Sequence, residues 1–282
     1  MNDRGSDKMI KQNLHTHSLY CDGKNTIEEM IQEAISKGFT ILGFSGHGNC
    51  RHIDDYSMDE ENTQKYIHDV LEAKEKYRDQ IQIFLGIEQD VLGERFEKHH
   101  PYDYIIGSVH FVKTGNRYLP VDQSADITRK IVDYYGSFLN YAKSYYEEVK
   151  KIVNMDEVDI VGHIDLLTKF NENEEFISFE QQEYLKLAYE CIDLLISKKK
   201  IFEVNTGAIA RGQRQTPYPH HTLLEYIYQH GGQICLNSDC HNKEMLDCYY
   251  QEALDLIQSC GFQSMMVLTE QGFVEKDIQE FL

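Results

Sequence analysis

Leu14-His15-Thr16-His17, Thr26-Ile27-Glu28-Glu29-Met30-Ile31-Gln32-Glu33-Ala34-Ile35-Ser36-Lys37-Gly38 and Thr40-Ile41-Leu42-Gly43-Phe44-Ser45-Gly46-His47 together decide the fold. A short apolar run ends in histidines, a helical segment follows, and a second apolar run ends in another histidine. Thr26 and Glu29 have capping-box spacing, and Ile27, Met30, Ile31, Ala34 and Ile35 keep the helical period up to a stop at Gly38. The unit reads strand, helix, strand, with polar residues placed where each strand ends.

The same alternation continues outward. A helix is expected from about Asp59 to Tyr77, with Ile67, Val70 and Leu71 on its buried stripe. Further strands are expected at Ile83–Ile87, Tyr104–Val109, Val158–Val161, Ile201–Asn205, Gln233–Leu236 and Ser264–Leu268. Between them the spacing predicts one long helix over about Ile127–Ile152 and another from Ser178, capped with Gln181. Glu94–Asp103 and Ala208–His221 read as loops that follow strand ends, where barrel enzymes keep their functional loops. A single pass without linker or repeat predicts one parallel α/β domain over residues 11–282, behind a flexible tail of residues 1–10. Seven or eight units suit a barrel better than an open sheet.

Composition narrows the function. With 282 residues and 41% hydrophobic content, the chain can bury a full core and is not read as disordered. A net charge of −19 argues against a general nucleic-acid binder, which shows a basic face. An anionic small substrate remains compatible, because bound divalent cations reverse the field inside a pocket. No signal peptide and no membrane-length apolar run is apparent, so a cytoplasmic location away from membranes is expected. Seven cysteines without a CxxC pair fit reduced thiols. Neither GxGxxG nor GxxxxGK[ST] is present, which removes support for dinucleotide and nucleotide-triphosphate sites. The tyrosines between Tyr134 and Tyr146 have helical spacing and read as packing.

Thirteen histidines is a high count, and their positions are informative. His15 and His17 flank Thr16, so both point to one side of an extended segment. His47, Glu88, His110 and His163 close later strands, and Asp239 and His241 close another. In a parallel barrel these ends meet at one rim. Imidazole with carboxylate favours zinc, iron or manganese over calcium or magnesium. Eight candidate ligands exceed the needs of one four-coordinate ion, so two to three divalent ions are expected, with a shared carboxylate as bridge. Gly86, Gly107 and Gly162 precede candidate ligands and would permit close backbone approach. His68 and His230 read as surface or capping residues, whereas His52 and His220 fall in rim loops within reach of a substrate. Cys21, Cys50 and Cys240 lie near the rim, but a thiol nucleophile needs a free histidine base, and those nearby are already taken.

His15-Thr16-His17-Ser18, followed by Cys21-Asp22-Gly23-Lys24-Asn25-Thr26, resembles the opening motif of the PHP (polymerase and histidinol phosphatase) superfamily. Gly46-His47-Gly48, Gly86-Ile87-Glu88, Gly107-Ser108-Val109-His110, Gly162-His163-Ile164-Asp165 and Asn237-Ser238-Asp239-Cys240-His241 resemble its later motifs in order. The resemblance runs from about Leu14 to His241 and implies a distorted seven-stranded β/α (TIM-like) barrel with a trinuclear metal site. It implies that His15, His17, Glu88 and Asp239 hold one metal, and that Glu88, His110 and His163 hold a second. His47 and His241, with Asp22, would hold the third. Two departures stand out. Gly46 occupies a position that is often acidic in the family, and Asp22 stands where a further early ligand belongs.

Chain size and the segment Glu203-Val204-Asn205-Thr206-Gly207 are similar to the stand-alone histidinol-phosphate phosphatases of histidine biosynthesis. That resemblance implies hydrolysis of a phosphate monoester, with L-histidinol phosphate as the small phosphorylated substrate. A metal-bridging hydroxide near Glu88 would attack phosphorus, and Asp239 or His241 would serve the leaving oxygen. Arg211, Arg214 and Lys169 are the candidate phosphate contacts, since guanidinium pairs with phosphate through two donors. Asp54, Asp55 and Asp59 are candidates to meet the substrate amine. The alternatives are a PHP phosphoesterase acting on nucleotides, a barrel amidohydrolase, or a non-catalytic metal-binding protein. No lysine stands at a strand end, which disfavours the amidohydrolase.

Overall fold

The computed structural model describes residues 9–50, 53–93 and 100–281. Residues 1–8 of the expected tail, His52, and residues 94–99 of the first rim loop lie outside the described residues. Seven strands form one parallel sheet in the order β1 (Gln12–Asn13), β2 (Ile41–Phe44), β3 (Gln82–Asp90), β4 (Tyr104–Ser108), β7 (Ile160–Val161), β8 (Ile201–Asn205), β9 (Gln233–Asn237). All four residues of β2 and all five of β8 are buried, as strands covered on both faces require.

The sheet curls until its ends meet. Thr16 pairs with Cys240 in a parallel bridge, the His17 amide reaches Cys240 O at 3.0 Å, and the Leu14 amide reaches Asn237 Oδ1 at 2.8 Å. This is the expected distorted seven-stranded β/α barrel. Tyr104 fills its interior: the hydroxyl donates to Leu14 O and to Phe44 O, bonding toward two neighbouring strands. A Cβ at Gly43 or Gly86 would overlap the Tyr104 ring, so these glycines make room for packing.

Helices cover the outside: α1 (Ile27–Ser36), α2 (Glu60–Tyr77), α3 (Ala125–Tyr135), α4 (Phe138–Val149), α5 (Gln182–Ser197), the short α6 (Gly207–Ala210), α7 (His221–Gln229) and α8 (Tyr250–Ser259). The capping box of α1 is formed, with Thr26 Oγ1 accepting the Glu29 amide at 3.2 Å and Glu29 Oε2 accepting the Thr26 amide at 2.9 Å. The chain leaves α1 through Gly38 at φ +76°.

Several sequence expectations need correction. The long helix over Ile127–Ile152 is two helices and a terminal 3-10 turn. Gly136 adopts φ 77° and ends α3, and the Ser137 hydroxyl then caps α4 through the Asn140 amide at 3.1 Å. Ser178 and Gln181 form no capping box: Ser178 Oγ turns to Glu174 at 3.1 Å, and α5 starts after Gln181 without a side-chain cap. Leu71 is 38% exposed, because the buried face of α2 runs through Thr63, Tyr66, Ile67, Val70, Ala73 and Tyr77. Ser264–Leu268 is a strand outside the barrel: β10 (Ser264–Thr269) pairs antiparallel with β11 (Gly272–Asp277). A second hairpin, β5 (Phe111–Thr114) and β6 (Arg117–Pro120), was not legible in the sequence, and it follows His110 at the rim. No helix among the described residues is long and apolar enough to cross a membrane.

Candidate active site

The strand ends bring the predicted ligands together around Glu88, which is 1% exposed. Glu88 Oε2 lies 3.2 Å from His15 Nε2, 3.7 Å from His17 Nε2 and 2.9 Å from His47 Nδ1. Its other oxygen, Oε1, lies 3.1 Å from His163 Nε2 and 3.3 Å from His110 Nε2. Asp239 Oδ1 faces His17 Nε2 at 3.2 Å and His15 Nε2 at 3.6 Å. At the outer edge, Asp22 Oδ2 is 3.1 Å from His241 Nε2, while Oδ1 is 3.6 Å from both His47 Nε2 and His17 Nδ1.

Three ligand groups result: His15 with His17 and Asp239, His47 with Glu88 and His110, and His17 with Asp22, His47 and His241. His163 joins through Glu88 Oε1. His17 and His47 therefore each face two groups with opposite ring nitrogens, whereas the sequence resemblance had placed His47 in the third group alone. Asp22 does reach that third group.

Two candidate ligands sit on strained backbone. His163 has φ 21° and Asp239 φ 48°, values that cost a non-glycine residue about 1–3 kcal/mol each. Hydrogen bonds around the site hold these conformations: the His163 amide donates to Glu203 Oε2 at 3.0 Å, and Arg211 holds the Asp239 carbonyl at 3.0 Å.

The electrostatics are those of a cation site. Burial disfavours ionised Glu88, yet His15, His110 and His47 hold its carboxyl well below the usual range. Asp239 is likewise buried and held low, chiefly by Arg211 and then His15. Burial opposes protonation of His15, but Glu203, Glu88 and Asp239 raise it well above its ordinary value. His17 is pushed down to about 3 by burial and by its neighbours His241 and His47, so its ring is neutral. The buried atoms His15 Nε2, His17 Nε2 and Glu88 Oε2 have no hydrogen-bond partner. Ring nitrogens and a carboxylate oxygen that converge without forming well-aligned hydrogen bonds to one another fit a cation held between them, and the nitrogen–carboxylate set suits zinc, iron or manganese.

The ligands open into a cleft of about 570 Å³ whose remaining walls include Asp54, Asp55, Tyr56, Phe111, Asp122, Lys169 and Arg211. Arg211 Nη2 contacts Asp239 Oδ2 at 3.1 Å, and Lys169 Nζ contacts Asp122 Oδ2 at 3.1 Å. Arg214 does not line the cleft. It is 4% exposed, donates to Thr168 Oγ1 at 2.8 Å and lies 4.4 Å over the Tyr218 ring, so its predicted contact with substrate is corrected to an internal one. Asp59 caps α2 through the Asn62 amide at 2.8 Å and is also absent from the cleft. The His220 ring stacks on Phe179 at 4.0 Å away from the cleft walls. His68 is exposed on α2, and His230 caps α7.

Sequence reasoning missed Asp90, which accepts the His110 amide at 2.8 Å and lies 3.2 Å from its Nδ1. Its signal was available: Asp90 is two residues past Glu88 on an extended strand and shares its face. Asp122 and Tyr56 had no comparable signal. All seven cysteines are free, and burial pushes Cys21 and Cys240 up to about 12, which leaves them protonated and poorly nucleophilic.

A parallel β/α barrel whose strand ends gather histidines and carboxylates in one cleft defines a barrel metalloenzyme. The PHP domain model matches residues 13–207, and the chain belongs to that family. The chain is 27% identical over 280 residues to the probable histidinol-phosphatase of Schizosaccharomyces pombe, covering 90% of this chain and 88% of that protein. It is 24% identical over 269 residues to the histidinol-phosphatase of Bacillus subtilis, covering 88% and 99% respectively. Among solved structures it resembles the putative histidinol phosphatase of Listeria monocytogenes, with a TM-score of 0.75, 20% identity and coverage of 86% and 99%. It also resembles the histidinol phosphate phosphatase of Lactococcus lactis, solved with zinc, L-histidinol and phosphate, with a TM-score of 0.72, 20% identity and coverage of 94% and 98%.

Proposed function

We propose that this chain is a metal-dependent phosphate monoester hydrolase acting on L-histidinol phosphate. The observation that carries the reading is the convergence of partnerless His15 Nε2, His17 Nε2 and Glu88 Oε2 in a cleft that also presents Arg211 and Lys169. The names of the relatives and the ligands of the Lactococcus lactis structure support the substrate.

When bound, two to three divalent ions supply Lewis-acid polarisation of phosphoryl oxygens and lower the pKa of water toward neutrality. His15, His17, Glu88 and Asp239 would hold one, Glu88, His110 and His163 a second, and Asp22, His47 and His241 the third. Arg211 and Lys169 take the non-bridging phosphate oxygens, where transition-state charge is spread. Asp239 is held ionised by Arg211 and His15, so it has no proton to give the leaving oxygen. That leaves His241, whose Nε2 faces Asp22 Oδ2 at 3.1 Å on the cleft wall, as the proton carrier when only the first two groups are filled and this nitrogen holds no ion. Elsewhere on the cleft wall, Asp54 and Asp55 offer anionic partners to an ammonium group, and Tyr56 and Phe111 offer ring faces and edges.

The test is a panel of phosphate monoesters. kcat/KM for L-histidinol phosphate should exceed that for nucleoside monophosphates and simple sugar phosphates by at least about a hundredfold, the reach of one or two well-placed polar contacts. Equal turnover would overturn the substrate and leave a general phosphatase. No turnover of any phosphate monoester, L-histidinol phosphate included, by the metal-loaded chain would overturn the enzyme reading itself.

A further inference from the structure

We infer that Glu203 is the positioning residue of this metal centre: its buried carboxylate fixes His15 with Nδ1 as the hydrogen-bond donor and Nε2 as the free ligand atom. The inference rests on the metal-dependent reading above. Glu203 is 1% exposed and sits on β8, with Asn205 on the same face two residues along.

Four nitrogen groups converge on this one side chain. Oε1 lies 2.6 Å from His15 Nδ1 and accepts Asn237 Nδ2 at 3.0 Å. Oε2 accepts the His163 amide at 3.0 Å and Asn205 Nδ2 at 2.9 Å. An ionised carboxylate can only accept, so His15 must carry its proton on Nδ1. His15 Nε2 is then the atom left for an ion, 3.2 Å from Glu88 Oε2 and 3.6 Å from Asp239 Oδ1. Through its other oxygen the same side chain seats His163, whose Nε2 faces Glu88 Oε1. One anion thus orients ligands on both sides of the shared carboxylate. Asn237 extends the arrangement to the barrel seam, where its Oδ1 accepts the Leu14 amide at 2.8 Å.

Glutamine cannot replace this glutamate without conflict. Its NH₂ must face one of two donor pairs, His15 with Asn237 or His163 with Asn205. In the first orientation the His15 proton moves to Nε2 and blocks the ligand atom. In the second, the His163 amide loses its acceptor at a strained φ.

The test measures zinc affinity by chelator competition on the full chain, wild type first, then Glu203→Gln and Glu203→Asp. Glu203→Gln should weaken zinc binding by about 10–100-fold, the usual loss when a ligand's orienting partner is removed. Glu203→Asp keeps the charge with a shorter reach and should fall between the two. Histidine ¹⁵N signals of zinc-loaded wild type give a second readout, and the His15 proton should reside on Nδ1. Wild-type affinity in Glu203→Gln, or zinc on His15 Nδ1, overturns the proposal while the metal-dependent reading stands. A wild-type chain that retains no zinc, iron or manganese overturns both. Should Glu203→Gln fail to fold, the wild-type ¹⁵N result decides alone.

Discussion

Arg211 and Asp239 are joined twice: Nη2 lies 3.1 Å from Oδ2 and Nη1 lies 3.0 Å from the Asp239 carbonyl oxygen. Asp239 Oδ1 points the other way, toward His15 and His17. The arginine therefore borders the cleft and also fixes a candidate ligand on strained backbone. A loop cation free of the metal site would lack the second role.

Arg211→Ala should lower kcat/KM by about tenfold or more, since a charge-assisted hydrogen bond contributes roughly 1.5–3 kcal/mol. It should also weaken metal retention, because Asp239 loses both restraints. Metal analysis after dialysis against a chelator separates the two roles. Unchanged kcat/KM would remove Arg211 from phosphate binding.

Glu88 presents Oε2 to His15, His17 and His47 and Oε1 to His110 and His163. Replacing it with alanine removes the carboxylate that faces five candidate ligand histidines at once. Metal analysis of Glu88→Ala should show more than one equivalent lost relative to wild type. Full occupancy would contradict the bridging role.

Arg214 lies behind the cleft, tied to Thr168, stacked over Tyr218 and 3.6 Å from Glu172. Deleting a cation this buried leaves acidic groups unpaired at a cost of about 3 kcal/mol. Arg214→Ala should lower Tm by roughly 6–12 °C, at about 2–4 °C per kcal/mol for a chain this large. kcat/KM of the folded fraction should change little. Wild-type Tm with a selective loss of activity would return Arg214 to the substrate.

Most candidate ligands were legible because strand ends in a parallel barrel share one rim, so linear order translates into spatial convergence. Asp22 was legible only through resemblance, being on a loop whose reach the sequence does not fix. Glu203 and Asp122 depend on which strands and loops become neighbours after closure, and no local pattern records that. Arg214 was misread for the same reason: three residues from Arg211, it turns inward, where Thr168 and Tyr218 receive it. The break between α3 and α4 was written locally, as Gly136-Ser137, but helical tyrosine spacing on both sides masked it.

Asp247 offers a pH test far from the ligands. Its Oδ2 meets Lys11 Nζ at 2.6 Å and its Oδ1 meets Lys37 Nζ at 2.9 Å, linking the approach to β1, the end of α1 and the segment before α8. Partial burial disfavours ionised Asp247, yet the hydrogen bonds from Lys11 and Lys37 hold its carboxyl below the ordinary value. A depressed carboxyl contributes stability that is present above its unfolded pKa of about 3.9 and disappears as pH falls through the folded value. Lys37 is raised, first by its hydrogen bond to Asp247, so its share is complete below about pH 10 and is lost as pH rises through the folded value. The stability difference between wild type and Asp247→Asn should therefore be widest between about pH 5 and pH 9, at about 1 kcal/mol for a pair this exposed. It should vanish at the acid end and shrink in high salt. Urea denaturation of both proteins across that pH range measures it, and a difference independent of pH would show that Asp247 acts through packing alone.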